Sequence, residues 1–165
     1  MSDHTKITLA VFRYRPEDAD QTASKPSYDR YDVPFYDDWV VLDALNWIKD
    51  NSDGSLTYRW ICRMGVCGSC GMMVNGEPKL TCAVFLKDYY PNVIRIEPLV
   101  NFQVERDLTV DMEQFMEKLE SVQPYVIRDD VNQTDDGEYK QSPAQLARYK
   151  QYSMCINCML CYSAC

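Results

Sequence analysis

Eight cysteines in two short groups constrain this chain of 165 residues more than any other feature. They stand at Cys62, Cys67, Cys70 and Cys82, and again at Cys155, Cys158, Cys161 and Cys165, with none left over. A secreted disulfide scaffold needs an oxidising compartment and a signal peptide. The opening run Met1-Ser2-Asp3-His4-Thr5-Lys6 has no apolar stretch of that kind, so a cytosolic protein with metal-bound thiolates is expected. No apolar run reaches bilayer-spanning length, and any membrane contact is expected to go through a partner.

Histidine narrows the choice of metal. There is one, His4, at a terminus expected to fray. Cys₂His₂ zinc sites and Rieske centres are thereby excluded, which leaves all-thiolate zinc and iron–sulfur clusters. Spacing separates these two. Cys62-Arg63-Met64-Gly65-Val66-Cys67-Gly68-Ser69-Cys70, followed by the distant Cys82, is C-x4-C-x2-C…C, the plant-type [2Fe–2S] pattern. Structural zinc more often uses two C-x2-C knuckles. Gly65, Gly68 and Gly71, interleaved with the cysteines, suit a backbone that approaches a cluster closely at positive φ and points its N–H groups at sulfur. Plain turn-making is the weaker explanation for three such glycines. Cys155-Ile156-Asn157-Cys158-Met159-Leu160-Cys161-Tyr162-Ser163-Ala164-Cys165 is C-x2-C-x2-C-x3-C, the bacterial ferredoxin run, whose fourth cysteine serves a different cluster from the first three.

The remaining sequence sorts into elements around these groups. Lys6 to Arg13 and Ser27 to Phe35 read as strands, with Pro34 marking an edge or an end. Val41, Leu42, Leu45 and Ile48 recur at helical spacing after a candidate N-cap at Asp38, and Asn51-Ser52-Asp53-Gly54 stops the helix. Met72 to Val74, Asn75-Gly76 and Glu77 to Leu80 predict a hairpin with a type I′ turn that carries the chain to Cys82. Val93 to Pro98 reads as a last strand. The result is a compact α+β domain. Beyond Arg106 a helix is expected over Asp111 to Leu119, its face of Met112, Phe115, Met116 and Leu119 turned to a core. Arg128 to Tyr139 reads as a polar, acidic surface loop. Ser142-Pro143-Ala144-Gln145 combines a capping box with proline at the first helical position. A net charge of −8 argues against nucleic acid, because phosphate neutralisation needs clustered Lys and Arg.

Tyr58-Arg59-Trp60-Ile61-Cys62-Arg63-Met64, Cys67 to Asn75, Leu42-Asp43-Ala44-Leu45, Arg106 to Met112 and the Cys155–Cys165 run together resemble the iron–sulfur subunit of fumarate reductase, within the fumarate reductase and succinate dehydrogenase group. The resemblance covers essentially the whole chain. It implies a β-grasp [2Fe–2S] ferredoxin domain at 1–105 and the N-terminal part of an α-helical ferredoxin domain at 106–165. Carried over by position, Cys62, Cys67, Cys70 and Cys82 hold [2Fe–2S]. Cys155, Cys158 and Cys161 supply three ligands of [4Fe–4S], and Cys165 supplies the first of [3Fe–4S]. It implies as partners a flavoprotein subunit with covalent FAD and membrane anchor subunits that bind quinone. The chain would then lie peripherally on the cytoplasmic face of the inner membrane, and menaquinol electrons would cross three clusters to reduce fumarate to succinate.

Three cysteines of a cubane need a fourth and Cys165 needs companions, so the sequence is expected to be an N-terminal fragment whose lone complete site is [2Fe–2S]. Three alternatives stay open. They are a succinate dehydrogenase subunit running the other way, a free-standing ferredoxin and a structural zinc protein. Arg63 either stabilises the reduced cluster or is a solvated loop arginine or subunit contact. Tyr89 and Tyr90 are core or interface residues.

Overall fold

A computed structural model of the chain describes residues 5–16, 27–127 and 140–165. His4 and the acidic stretch 128–139, expected above to be a frayed end and a surface loop, lie outside them. The chain forms two compact units, Met1–Asp111 with Ile156–Cys165, and Met112–Cys155.

Strand β1 (Lys6–Arg13) carries a large share of the buried face of the first unit. A period of two puts Ile7, Leu9, Val11 and Arg13 on one face, and all four are buried. Strand β2 (Ser27–Pro34) runs back antiparallel, opposing Arg13 to Ser27 and Lys6 to Pro34. It is an outer strand, and Pro34 closes it because proline cannot donate to a further ladder. Helix α1 (Val41–Asn51) buries Val41, Leu42, Ala44, Leu45 and Ile48, the apolar stripe expected from the sequence.

The start of α1 differs from expectation, because Val40 and not Asp38 is the N-cap. Val40 is held in an isolated antiparallel bridge to Phe85. Its carbonyl accepts from the N–H groups of Asp43 at 3.0 Å and Ala44 at 3.3 Å, and the Asp43 carboxylate accepts from the Val40 N–H at 3.1 Å. A tertiary bridge thus sets where the first turn begins, two residues beyond the better local capping residue.

Strands β3 (Gly71–Val74) and β4 (Glu77–Leu80) form the expected hairpin. Asn75 at φ +49° and Gly76 at φ +82° supply the two left-handed residues that a type I′ turn needs. Strand β5 (Ile94–Glu97) lies parallel to β1, with Leu9 opposite Ile94, and antiparallel to β3. The order β2-β1-β5-β3-β4, with α1 joining the first hairpin to the second, is the β-grasp arrangement. A second small ribbon, β6 (Val104–Arg106) and β7 (Thr109–Val110), was not legible in the sequence, being five residues around the two-residue turn Asp107-Leu108. It nevertheless buries Leu108 and Val110.

Arg13 ends the apolar face of β1 as a buried charge. Its guanidinium bonds Asp107 at 3.1 Å, Asp29 at 3.3 Å, Tyr31 at 2.7 Å and Ser55 at 3.0 Å, as well as Asp53. Asp107 is fully buried and also accepts from the backbone N–H groups of Tyr14 at 3.1 Å and Thr57 at 2.9 Å. Burial opposes the Arg13 charge, but the Asp53 and Asp107 carboxylates outweigh it and hold its pKa above the ordinary value. Partial burial likewise works to raise Asp53, while hydrogen bonds from Ser55, Arg13 and Tyr31 prevail and hold its carboxyl well below the usual range.

The second unit contains α2 (Glu113–Ser121) and α3 (Pro143–Ser153). The stripe of Met112, Phe115, Met116 and Leu119 is expected in a core, yet no residue of α2 is buried and Met116 is exposed. Periodicity decides which side of a helix is apolar and leaves open what covers it. Helix α3 starts as expected, with Ser142 Oγ accepting from the Gln145 N–H at 3.3 Å and Gln145 Oε1 accepting from the Ser142 N–H at 2.8 Å. Among the described residues no helix is long and apolar enough to cross a membrane.

Replacing Arg13 by Met leaves Asp107 buried without its cation. This substitution is expected to cost about 3–5 kcal/mol, read as a lower urea midpoint. Because the Asp53 pKa is depressed, its contribution is present above the ordinary Asp range and is lost as pH falls below it. Asp53→Asn is therefore expected to flatten the acid limb of a stability-against-pH profile, and an unchanged limb would remove Asp53 from this account.

Candidate metal centre

The loop that carries the first three cysteines is tied down at its entrance. Thr57 is held on both sides, its N–H by Asp107 and its carbonyl by the Leu108 N–H at 3.2 Å. Tyr58 donates its hydroxyl to Asn46 Oδ1 of α1 at 2.7 Å, and the Arg59 guanidinium bonds the Val110 carbonyl. The loop then curls through left-handed residues at Arg63 (φ +59°), Gly65 (φ +72°) and Gly68 (φ +75°).

That curl turns the backbone donors inward. Cys62 Sγ accepts from the N–H groups of Met64 at 3.4 Å, Val66 at 3.4 Å and Cys67 at 3.3 Å. Cys67 Sγ accepts from the Cys62 N–H at 3.5 Å, and Cys82 Sγ from the Gly65 N–H at 3.2 Å. The β3–β4 hairpin brings Cys82 back beside Cys70, since Gly71 opposes Leu80 and the next residue, Thr81, bonds the Cys70 carbonyl just before Cys82. Thr81, fully buried, donates both its N–H (3.1 Å) and its hydroxyl (3.0 Å) to the Cys70 carbonyl. Cys70 and Cys82 are buried with Leu42 of α1, and Val40, Tyr58 and Leu80 pack around them.

The thiols differ sharply in acidity. Hydrogen bonds from Ser69, and then from Cys62, bring Cys67 down to about 6. Burial, and then the neighbouring Cys70, push Cys82 up to about 11 against the opposing Gly65 N–H. The donor set fits a [2Fe–2S] group, with four thiols on one loop and hairpin and N–H groups aimed at sulfur where negative charge would sit.

Several expected roles are refined. Gly65 joins the N–H cradle, but Gly68 and Gly71 do not: the bare Cα of each faces the second cysteine run. Gly71 opens β3 and has no positive φ. Arg63 places its guanidinium 4.2 Å from the Trp60 ring centroid, a packing contact at the loop surface. Tyr89 packs on the main core, and Tyr90 stacks on Phe35 at 4.4 Å.

Of the second cysteine group, Cys158, Cys161 and Cys165 belong to the first compact unit and Cys155 to the second. Cys158 is half-buried, while Cys155, Cys161 and Cys165 are exposed. The short helix α4 (Leu160–Ala164) is seated by Ser163 Oγ, which donates to the Val100 carbonyl at 2.9 Å, and by Asn101 Nδ2, which donates to the Tyr162 carbonyl at 3.1 Å. The rings of Phe102 and Tyr162 meet at 4.9 Å. Sequence reasoning missed Thr81, Asn101 and Ser163. All three are small polar residues whose partners lie far along the chain or on a different element.

Comparison with known proteins gives concordant likenesses. Residues 8–117 match the 2Fe-2S iron-sulfur cluster binding domain family. The chain is 56% identical over 160 residues to the fumarate reductase iron-sulfur subunit of Mycobacterium tuberculosis, covering 97% of this chain and 63% of that protein. It is 48% identical over 175 residues to the corresponding subunit of Haemophilus influenzae, covering 100% of this chain and 66% of that one. A chain of the Mycobacterium smegmatis Sdh1 complex in the apo form superposes with a TM-score of 0.84 at 29% identity, covering 98% of this chain and 64% of that one. The chain thus spans just under two thirds of the length of these relatives.

Thiolate chemistry can be read directly on the metal-free chain. Iodoacetamide is expected to modify Cys67 first, with a rate that climbs through about pH 6, while Cys82 stays inert until the pH nears 11. Mass spectrometry of peptides labelled across that pH range checks the order, and equal labelling of both cysteines would contradict it.

Proposed function

Because the chain belongs to the 2Fe-2S iron-sulfur cluster binding domain family, we propose that it is the electron-transfer portion of a fumarate reductase iron–sulfur subunit. On this reading it relays electrons between membrane quinol and the FAD of a flavoprotein subunit. The observation that carries the reading is the cradle of five backbone N–H groups directed at the sulfurs of Cys62, Cys67 and Cys82. The identity with fumarate reductase iron-sulfur subunits supports it.

Cys62, Cys67, Cys70 and Cys82 are the proposed ligands of [2Fe–2S], which when bound stores a single electron. The chain's own residues set the conditions for that storage. The five N–H dipoles offset charge on sulfur, more so in the reduced state than in the oxidised one. Leu42, Tyr58 and Leu80 wall off Cys70 and Cys82 from water. Thr81 fixes the Cys70 backbone, so that both buried ligands keep their places in either redox state. From their spacing, Cys155, Cys158 and Cys161 are assigned three ligands of [4Fe–4S], and Cys165 the first of [3Fe–4S]. All eight cysteines of the chain are thereby assigned. The chain is read as a β-grasp domain (1–105) and the start of an α-helical ferredoxin domain (106–165). Its partners are a flavoprotein and quinone-binding anchor subunits, which hold it at the cytoplasmic face of the inner membrane. The likeness to a chain of the Sdh1 complex favours a second reading, the same relay run toward succinate oxidation.

Anaerobically purified protein is expected to be brown and, after dithionite, to show a rhombic [2Fe–2S] signal in low-temperature EPR. Cys70→Ala is expected to abolish that signal. A colourless wild-type protein that takes up zinc stoichiometrically would overturn the electron-carrier reading. Rates of succinate oxidation and fumarate reduction by the assembled complex, measured with matched quinone and quinol, separate the two directions.

A further inference from the structure

Gly65 and Gly68 in the cysteine loop, and Gly71 at the start of β3, face different surroundings. Gly65 and Gly68 adopt nearly the same left-handed conformation, φ +72° and φ +75°. A Cβ at Gly65 would meet nothing within 4 Å. A Cβ at Gly68 would lie 2.7 Å from the Ile156 carbonyl oxygen and 2.9 Å from both Cα and Cβ of Cys158. Two of those three atoms are backbone, so no side-chain rotation relieves the overlap. At Gly71 a Cβ would lie 3.0 Å from the Cys158 carbonyl oxygen and 3.2 Å from Leu160 Cδ2.

The opposing segment is shaped for this contact. Cys158 sits between two residues in the left-handed region, Asn157 at φ +54° and Met159 at φ +61°. Such conformations persist for residues other than glycine only where surrounding structure holds them. Met159 is buried, and a few residues on Ser163 is fixed to Val100 and Tyr162 to Asn101. The segment is therefore pinned beyond the contact and cannot yield there without local rearrangement.

We propose that Gly68 and Gly71 are positioning residues that let the Cys158 backbone press on the first cysteine loop and so set the spacing between the two thiolate sites. Gly68 directly follows Cys67, and Gly71 directly follows Cys70. The contact thus joins the backbone of two ligands of one site to that of a ligand of the other. A single electron crosses this spacing from one cluster to the other, with no bond made or broken and no proton transferred. The inference rests on the reading above that both groups hold clusters.

The test uses the full-length protein, as wild type and as G68A, G71A and G76A. Two quantities are read, the microwave power saturation of the reduced [2Fe–2S] signal and amide hydrogen exchange over 156–160. In wild type the neighbouring cluster, in its paramagnetic redox state, is expected to speed relaxation of that signal. In G68A the signal is expected to remain while the enhancement is lost and exchange over 156–160 quickens. G76A, at φ +82° in the β3–β4 turn, carries the same backbone strain into open space away from the cysteines, and is expected to keep the wild-type enhancement and exchange. G71A carries crowding without strain and is expected to move both readouts in the direction of G68A. Enhancement and exchange in G68A equal to those in G76A would overturn the proposal. If G68A assembles no [2Fe–2S], G71A decides by the same criterion. If the wild type itself gives no [2Fe–2S] signal, the electron-carrier reading fails, and exchange over 156–160 in the three variants still decides whether these glycines seat the segment.

Discussion

Four cysteine sulfurs gathered on one loop and one hairpin repel each other once ionised, and burial makes that repulsion worse. The chain answers with its own backbone. Left-handed turns at Arg63 and Gly65 swing successive N–H groups inward, so Cys62 alone receives three of them. The resulting inequality is chemical as well as geometric. Cys67 is acidic because hydrogen bonds stabilise its thiolate, and Cys82 is not because it is buried beside another thiol. A cationic iron centre bound there would remove that inequality by holding all four as thiolates.

The loop can keep this shape because its entrance is fixed by charge rather than by regular structure. Arg13, at the end of the apolar face of β1, is drawn into the molecule by Asp53 and Asp107. Asp107 in turn holds Thr57, five residues before Cys62. Pairs of this kind contribute little net stability when compared with an apolar replacement, but breaking one is costly. Their value here is register: the buried carboxylate accepts from two separate stretches of chain, at Arg13-Tyr14 and at Thr57, and leaves them little room to slide. The same logic holds at the exit, where Thr81 clamps Cys70 to the strand end that leads into Cys82.

Much of the first unit was legible because its signals are local. Alternation in β1, the helical stripe of α1 and the Asn75-Gly76 turn each lie within a few residues, and each appears where expected. The features that escaped are those set at long range. The N-cap moved from Asp38 to Val40 because Val40 pairs with Phe85, far along the chain. The β6–β7 ribbon is too short to show a period, and it forms around contacts to Thr57, Tyr14 and Arg59. The stripe on α2 has the period of a core helix and is not buried, since period reports chemistry and not cover.

By itself the sequence determined the available donors: cysteines in two groups, with a spacing that suits iron–sulfur clusters, because their number and short-range spacing are written in the covalent chain. Tertiary structure alone decided how each glycine is used. Gly65 and Gly68 look alike in sequence and in φ, yet one opens to empty space and the other lies against the Cys158 backbone, ninety residues on. Only the fold brings those two stretches together, and close packing then permits no side chain between them.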